Sequence, residues 1–301
     1  MRRRRRCGGK ASPPPPPLPV RDGLGPARLR VQGGNVAEEF ARRFGEHGRA
    51  KVLAGEVVDS TGTVLDGASA LPAGVAVYLY RDLPDEVEVP HALPVLHRDD
   101  NIVVADKPHF LATTPRGGHV TQTALVRLRR ELDLPDLTPA HRLDRLTAGV
   151  LLFTARPEVR GAYQSLFARG EVAKTYLARS SREPGLSAAQ TISNRIVKRR
   201  GRLQASVEAG PPNARTLIEP LGEGRYRLTP GTGRTHQLRV HMAGLGLPID
   251  NDPLYPEVVA ADPADFSRPL QLVAHRLEFT DPLSGRVQRW ESRHRLGVAG
   301  S

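Results

Sequence analysis

The sequence predicts an α+β protein: a mixed, largely antiparallel central sheet flanked by helices and loops, with a small N-terminal α+β module ahead of it. Strand-like runs outnumber helical ones, and turn residues rather than helices join most of them. Two runs, DNIVVADKP (100–108) and GVLLFTA (149–155), are apolar enough to be buried strands.

Residues 1–24 are Arg-rich and then Pro-rich, which buries little apolar surface and predicts a disordered arm. From Asn35, the residues Val36, Phe40 and Phe44 fall at helical spacing. GEVVDSTGTVLDG alternates around Gly and Asp turn signals, and LPAGVAVYLYR closes with a strand, so residues 28–81 form the small module. DLPDEVEVPHALP (82–94) is acidic and Pro-punctuated and predicts a linker. A larger domain spans 95–295.

That domain opens with the DNIVVADKP strand, ended by Pro108, and TQTALVRLRREL (121–132) follows as an amphipathic helix. After GVLLFTA, Pro157 suits the first turn of a helix carrying Val159, Tyr163, Leu166 and Phe167, with Gly170 at its end. KTYLARS begins a strand, and residues 191–228 alternate short extended pieces with Gly, Pro and Asn, as hairpins do. HQLRVHMAGLG predicts a helix stopped by Gly244, and LQLVAHRLEFTDPLSGRVQRW predicts two strands joined by DPLSG.

The 301 residues suffice for one sizeable core and a satellite. A net charge of +12 makes a polyanion the first partner to consider, nucleic acid ahead of a membrane surface. Only five of the 44 basic residues are Lys, however, and a run of Arg at 2–6 supplies part of the charge. The single cysteine, Cys7, excludes an internal disulfide and a cysteine-based metal site. No run approaches a membrane span, and the chain is expected to be cytoplasmic.

Polar residues concentrate in ADKPHFLATTP (105–115), HRLDRLTAGVLL (141–152) and GTGRTHQLRVHMAGLG (231–246). GTGRTH lacks the Lys and spacing of a phosphate-cradling loop and has no dinucleotide fingerprint. His236 and His241 are five apart and diverge on a helix, so they are not read as a zinc pair. No Gly-x-Ser-x-Gly elbow is present.

In this order and spacing, together with LPIDNDPLYP and the closing LQLVAHRLEFTDPLSGRV, the three stretches resemble the RluA-type family of pseudouridine synthases over about residues 90–292. Residues 28–81 more loosely resemble the RNA-binding module of a ribosomal small-subunit protein. The resemblance implies the pseudouridine synthase fold and isomerisation of uridine within structured RNA, ribosomal RNA favoured and transfer RNA next. It implies no cofactor, no metal, no membrane, no obligatory protein partner, and a monomer. The alternative is a catalytically inactive RNA-binding or ribosome-assembly protein of the same fold; Asp144, Tyr176 and Arg239 together favour the enzyme. A DNA-binding regulator lacks any helix-turn-helix or finger pattern.

By the same resemblance Asp144 is the catalytic carboxylate, acting as a nucleophile at the sugar or by deprotonating it. Arg239 is its expected bidentate cation, and Tyr176 stacks on the base and relays its proton. Arg142 fills the gap left by a flipped-out uridine. Lys107 and His141 match family positions that serve the RNA site, read here as supporting it. Two departures, ATTP at the end of the first motif and Asn251 where the family often has Gly, are not expected to touch the chemistry.

Overall fold

The computed structural model describes residues 16–297, so the Arg-rich run and most of the Pro-rich run lie outside the described residues. The chain divides into two compact units, Met1–Leu83 and Pro84–Ser301.

The first unit contains β1 (Ala27–Arg30), β2 (Gly34–Asn35), α1 (Val36–Leu53), β3 (Ala70–Leu71) and β4 (Ala76–Leu79), with β1 antiparallel to β4 and β2 to β3. The Asn35 side chain caps α1 by accepting from the Glu38 amide at 3.0 Å. Val36 and Phe40 are buried, but Phe44, third in the predicted stripe, is 46% exposed. The helix breaks at the next residue, Gly45, whose φ is 71°. GEVVDSTGTVLDG is a turn around Asp59 with an isolated Val58–Val64 bridge, not a pair of full strands. Residues at the end of the expected arm are tethered: the Tyr80 hydroxyl donates to the Pro19 carbonyl, and Arg21 lies over the Tyr80 ring.

The second unit begins with the expected linker, which here packs into the core. Val89 and Leu93 are buried, and the Glu86 carboxylate accepts from the amides of Val120, Thr121 and Gln122. Then come β5 (Val95–Arg98), β6 (Ile102–Lys107), α2 (Ala124–Leu132), β7 (Thr138–Pro139), β8 (Ala148–Thr154), α3 (Pro157–Arg169) and β9 (Ala173–Arg179). β10 (Gln190–Val197), β11 (Ser206–Glu208), β12 (Ala214–Gly222), β13 (Arg225–Pro230), α4 (Gln237–Gly244), β14 (Leu272–Thr280) and β15 (Val287–Glu291) complete it.

The sheet runs β11-β10-β12-β13-β9-β14-β8-β6-β5, with β15 on β14 and β7 on β8. Every pairing is antiparallel except that of β14 with β8, so the mixed, largely antiparallel sheet is as expected. β6 and β8 are buried along their whole length, and apolar over most of it, because both faces are covered. Val103, Ala105, Leu151 and Phe153 join α2 in one core, and Ile102, Val104, Val150 and Leu152 join α3 in another. α3 starts at Pro157 and ends at Gly170, whose φ is 72°.

Where β14 runs parallel to β8, Ala274 lies opposite Gly149, which has a φ of 120°. A Cβ there would stand 2.2 Å from the Ala274 carbonyl oxygen. Gly149→Ala is expected to lower unfolding free energy by about 3 kcal/mol, read as a lower urea midpoint at unchanged slope. An unchanged midpoint would show that the two strands are not held this close.

Candidate active site

Because β6 and β8 are antiparallel, the chain leaving β6 meets the chain entering β8. The loop before β8 carries Asp144, and the segment after β6 holds it. Thr113 Oγ1 accepts from the Leu143 amide at 3.1 Å and donates to the Leu143 carbonyl at 2.8 Å. His109 Nδ1 donates to the Leu146 carbonyl at 2.7 Å. The Lys107 ammonium donates to the carbonyls of Pro108 (2.9 Å), Leu111 (2.7 Å) and Arg145 (3.3 Å). Within the loop, the Thr147 amide closes a turn on the Asp144 carbonyl.

These contacts bear on two expectations. Lys107 is fully buried and spends its hydrogens on carbonyls, so it holds the loop. Burial pulls its amine down to about 7, against the opposing pull of the Asp144 carboxylate. The ATTP departure does reach the acid's surroundings, because Thr113 is the clamp on Leu143. His141 also supports: its Nε2 accepts from the Leu152 amide at 3.1 Å, and its ring stacks on Phe167 at 4.5 Å. Burial lowers its pKa to about 3, so the ring is neutral.

Asp144, Arg142, Tyr176, His236 and Arg239 line one cavity of about 730 Å³. Arg142 is exposed and makes no ion pair among the described residues. Tyr176 comes from β9, paired with Leu228 of β13 and Ala274 of β14. Burial, reinforced by the Asp144 carboxylate, raises its phenol well above the ordinary value, so it keeps its proton at neutral pH.

Arg239 lies on α4 and does not pair with Asp144. Its Nε and Nη2 hold Asp252 Oδ2 and Oδ1 at 2.7 and 2.5 Å, and both side chains are buried. Asp252 Oδ1 also accepts from the Leu254 and Tyr255 amides. The physical reason lies in exposure: a buried guanidinium needs a buried counter-charge, whereas the Asp144 side chain is 26% exposed. His236 Nε2 stands 4.0 Å from Asp144 Oδ2. Asn251, with a φ of 61°, makes the left-handed turn before Asp252 that glycine would also make.

Sequence reasoning missed Thr113, His109, Asp252, His236 and Tyr255 as parts of this site. The one available signal was the second acid of IDNDPLY, which closely follows QLRVH. Asp252→Ala leaves Arg239 buried and unpaired, and is expected to cost about 3–5 kcal/mol of stability by denaturant unfolding. A loss under about 1 kcal/mol, the worth of an exposed pair, would show that the pair is solvated.

A family model described as RNA pseudouridylate synthase matches residues 101–244. An uncharacterized RNA pseudouridine synthase of Synechocystis sp. is 30% identical over 205 residues, covering 66% of this chain and 70% of its own length. The dual-specificity RNA pseudouridine synthase RluA of Pasteurella multocida is 34% identical over 217 residues, 66% of this chain and 91% of the relative. The chain spans about a third of the length of the human and yeast relatives it matches. A solved structure of human RNA pseudouridylate synthase domain containing 1 has a TM-score of 0.55 and 24% identity, covering 70% of this chain and 86% of that one.

Proposed function

The chain belongs to the RluA-type family of RNA pseudouridine synthases, and on that premise we propose that it isomerises a specific uridine of structured RNA with Asp144 as the reacting acid. One observation carries the reading: Asp144 is clamped through its neighbours' backbone at the wall of the cavity, with its carboxylate left out of every tight ion pair. About 730 Å³ lies within the roughly 300–1,000 Å³ of small-molecule pockets.

In the reaction the bond from ribose C1′ to uracil N1 breaks, the base turns, and C1′ rejoins through ring carbon 5. The proton on carbon 5 leaves and N1 gains one, so nothing is added or removed overall. The Asp144 carboxylate assists departure of uracil, as a nucleophile at the sugar or by deprotonating it. The Tyr176 phenol, held protonated, offers an aromatic face to the base and relays a proton rather than acting as a free phenolate. The exposed Arg142 guanidinium is free to enter the stack that the flipped uridine vacates. Arg239 shapes the cavity through Asp252. Ribosomal RNA is the favoured substrate and transfer RNA the next, which the resemblance of the N-terminal unit to a ribosomal RNA-binding module supports.

Asp144→Asn is expected to keep RNA affinity within about twofold and to lose turnover on the order of 10⁴-fold, measured as tritium released from uridine labelled at ring carbon 5. Retained turnover would mean that another acid does the chemistry. In cells lacking the gene, chemical mapping of pseudouridine is expected to lose a site in ribosomal RNA; loss confined to transfer RNA would overturn the substrate assignment.

A further inference from the structure

His236 stands at an unusual place. It is the residue before α4, with φ 60° and ψ 16°, a left-handed conformation that side chains with a Cβ rarely adopt. Its side chain does not cap the helix that follows. The turn is held from elsewhere: Gln237 Oε1 accepts from Thr232 Oγ1 and the Arg234 amide, and Gln237 Nε2 donates to the Arg215 carbonyl and Thr216 Oγ1. A backbone this constrained aims the imidazole at two partners. Nδ1 meets the Tyr255 hydroxyl at 2.9 Å, and Nε2 faces Asp144 Oδ2 at 4.0 Å.

The tautomer follows from counting hydrogens. The Tyr255 oxygen accepts from the Ala205 amide at 2.6 Å and has one hydrogen of its own, with His236 Nδ1 and the Ala205 carbonyl (3.2 Å) as possible acceptors. If that hydrogen went to the carbonyl, Nδ1 would have to donate to Tyr255 and Nε2 would turn a lone pair toward a carboxylate. If it goes to Nδ1, Nε2 carries the hydrogen and points it at the carboxylate. Electrostatics selects the second arrangement. The charged and titratable groups acting on the ring are Asp144, Asp252, Arg239 and Lys198, with Tyr255 bonded to it; burial lowers its pKa despite the pull of Asp144, which keeps it neutral at pH 7.

We propose that His236 is a positioning residue for the reaction: its Nε2–H, fixed by the Tyr255 hydroxyl, holds Asp144 Oδ2 so that the other carboxylate oxygen is presented to the ribose. The inference rests on Asp144 being the reacting acid. At 4.0 Å the two groups are not yet hydrogen-bonded. Closing the gap by about 1 Å, as substrate excludes water, makes the bond in the reacting complex and not in the free enzyme. An interaction formed only there acts on kcat and leaves KM nearly alone. Tyr255 also ties the site to the residue that precedes β11, since both its bonds go to Ala205, three residues beyond the basic segment KRRGR.

Two substitutions separate this role from a merely structural one. Asn tolerates the left-handed backbone better than Gln, but its amide reaches only as far as Nδ1, whereas the Gln amide reaches the place of Nε2. Single-turnover rate and half-saturation would be measured on total RNA from cells lacking the gene, carrying tritium at uridine carbon 5. His236→Asn is expected to slow the step about 100-fold with half-saturation within about twofold, and His236→Gln to recover about tenfold of that loss. A structural role gives the reverse order, so Asn equal to or faster than Gln, or no rate loss in either, overturns the proposal. Asp144→Asn run in parallel separates the two readings. If it stays active, the assignment of Asp144 fails; if it is dead while His236→Asn is fully active, only the role of His236 fails.

Discussion

The loop that carries Asp144 stays in place because the segment after β6 satisfies its carbonyl oxygens. Irregular backbone cannot pair with itself, and each buried carbonyl left without a donor costs about 1–3 kcal/mol. Lys107 meets this need with three hydrogens, binding Pro108 and Leu111 of its own segment and Arg145 of the loop. Thr113 and His109 complete the clamp on either side. Pro108 suits its position, since it ends β6 and has no amide to leave unpaired. The motif that looks like an unusually polar end to a buried strand is the fastening for the acid opposite it.

Charge is divided accordingly. Arg239 and Asp252 form a closed, bidentate pair whose remaining acceptor capacity goes to backbone amides. Asp144 is left partly in water, beside a neutral imidazole rather than a guanidinium. A carboxylate locked to a buried arginine would be a poor partner for a sugar, because any new interaction would have to displace a strong one. The fixed pair gives the cavity a rigid wall, and the loosely held acid faces into it.

Much of this was legible in the sequence, for identifiable reasons. β6 and β8 stand out because strands covered on both faces read as unbroken apolar runs, and α3 because Pro157 and Gly170 mark its ends. Asp144 and Tyr176, singled out from separate motifs, line the same cavity. The counter-charge of Asp144 was misassigned because pairing is decided by burial, which spacing does not report: Arg239 is 2% exposed and takes the equally buried Asp252. The stretch 82–94 was misread because two core residues, Val89 and Leu93, are scattered among acids and prolines. Nothing in its composition shows that Glu86 caps three amides. Helical spacing groups Phe44 with Val36 and Phe40 and does not report that the helix breaks just after it, at Gly45, where Phe44 stands exposed.

The position of β14 bears on synthesis. It lies between β8 and β9 and bridges the strand that follows Asp144 to the strand that carries Tyr176, yet it leaves the ribosome after both of them. Until it arrives, β8 has only the short β7 on that side and the two walls of the cavity belong to unconnected half-sheets. Such long-range pairing forms late in folding. A nascent or truncated chain that ends before β14 therefore holds the acid loop without an assembled pocket.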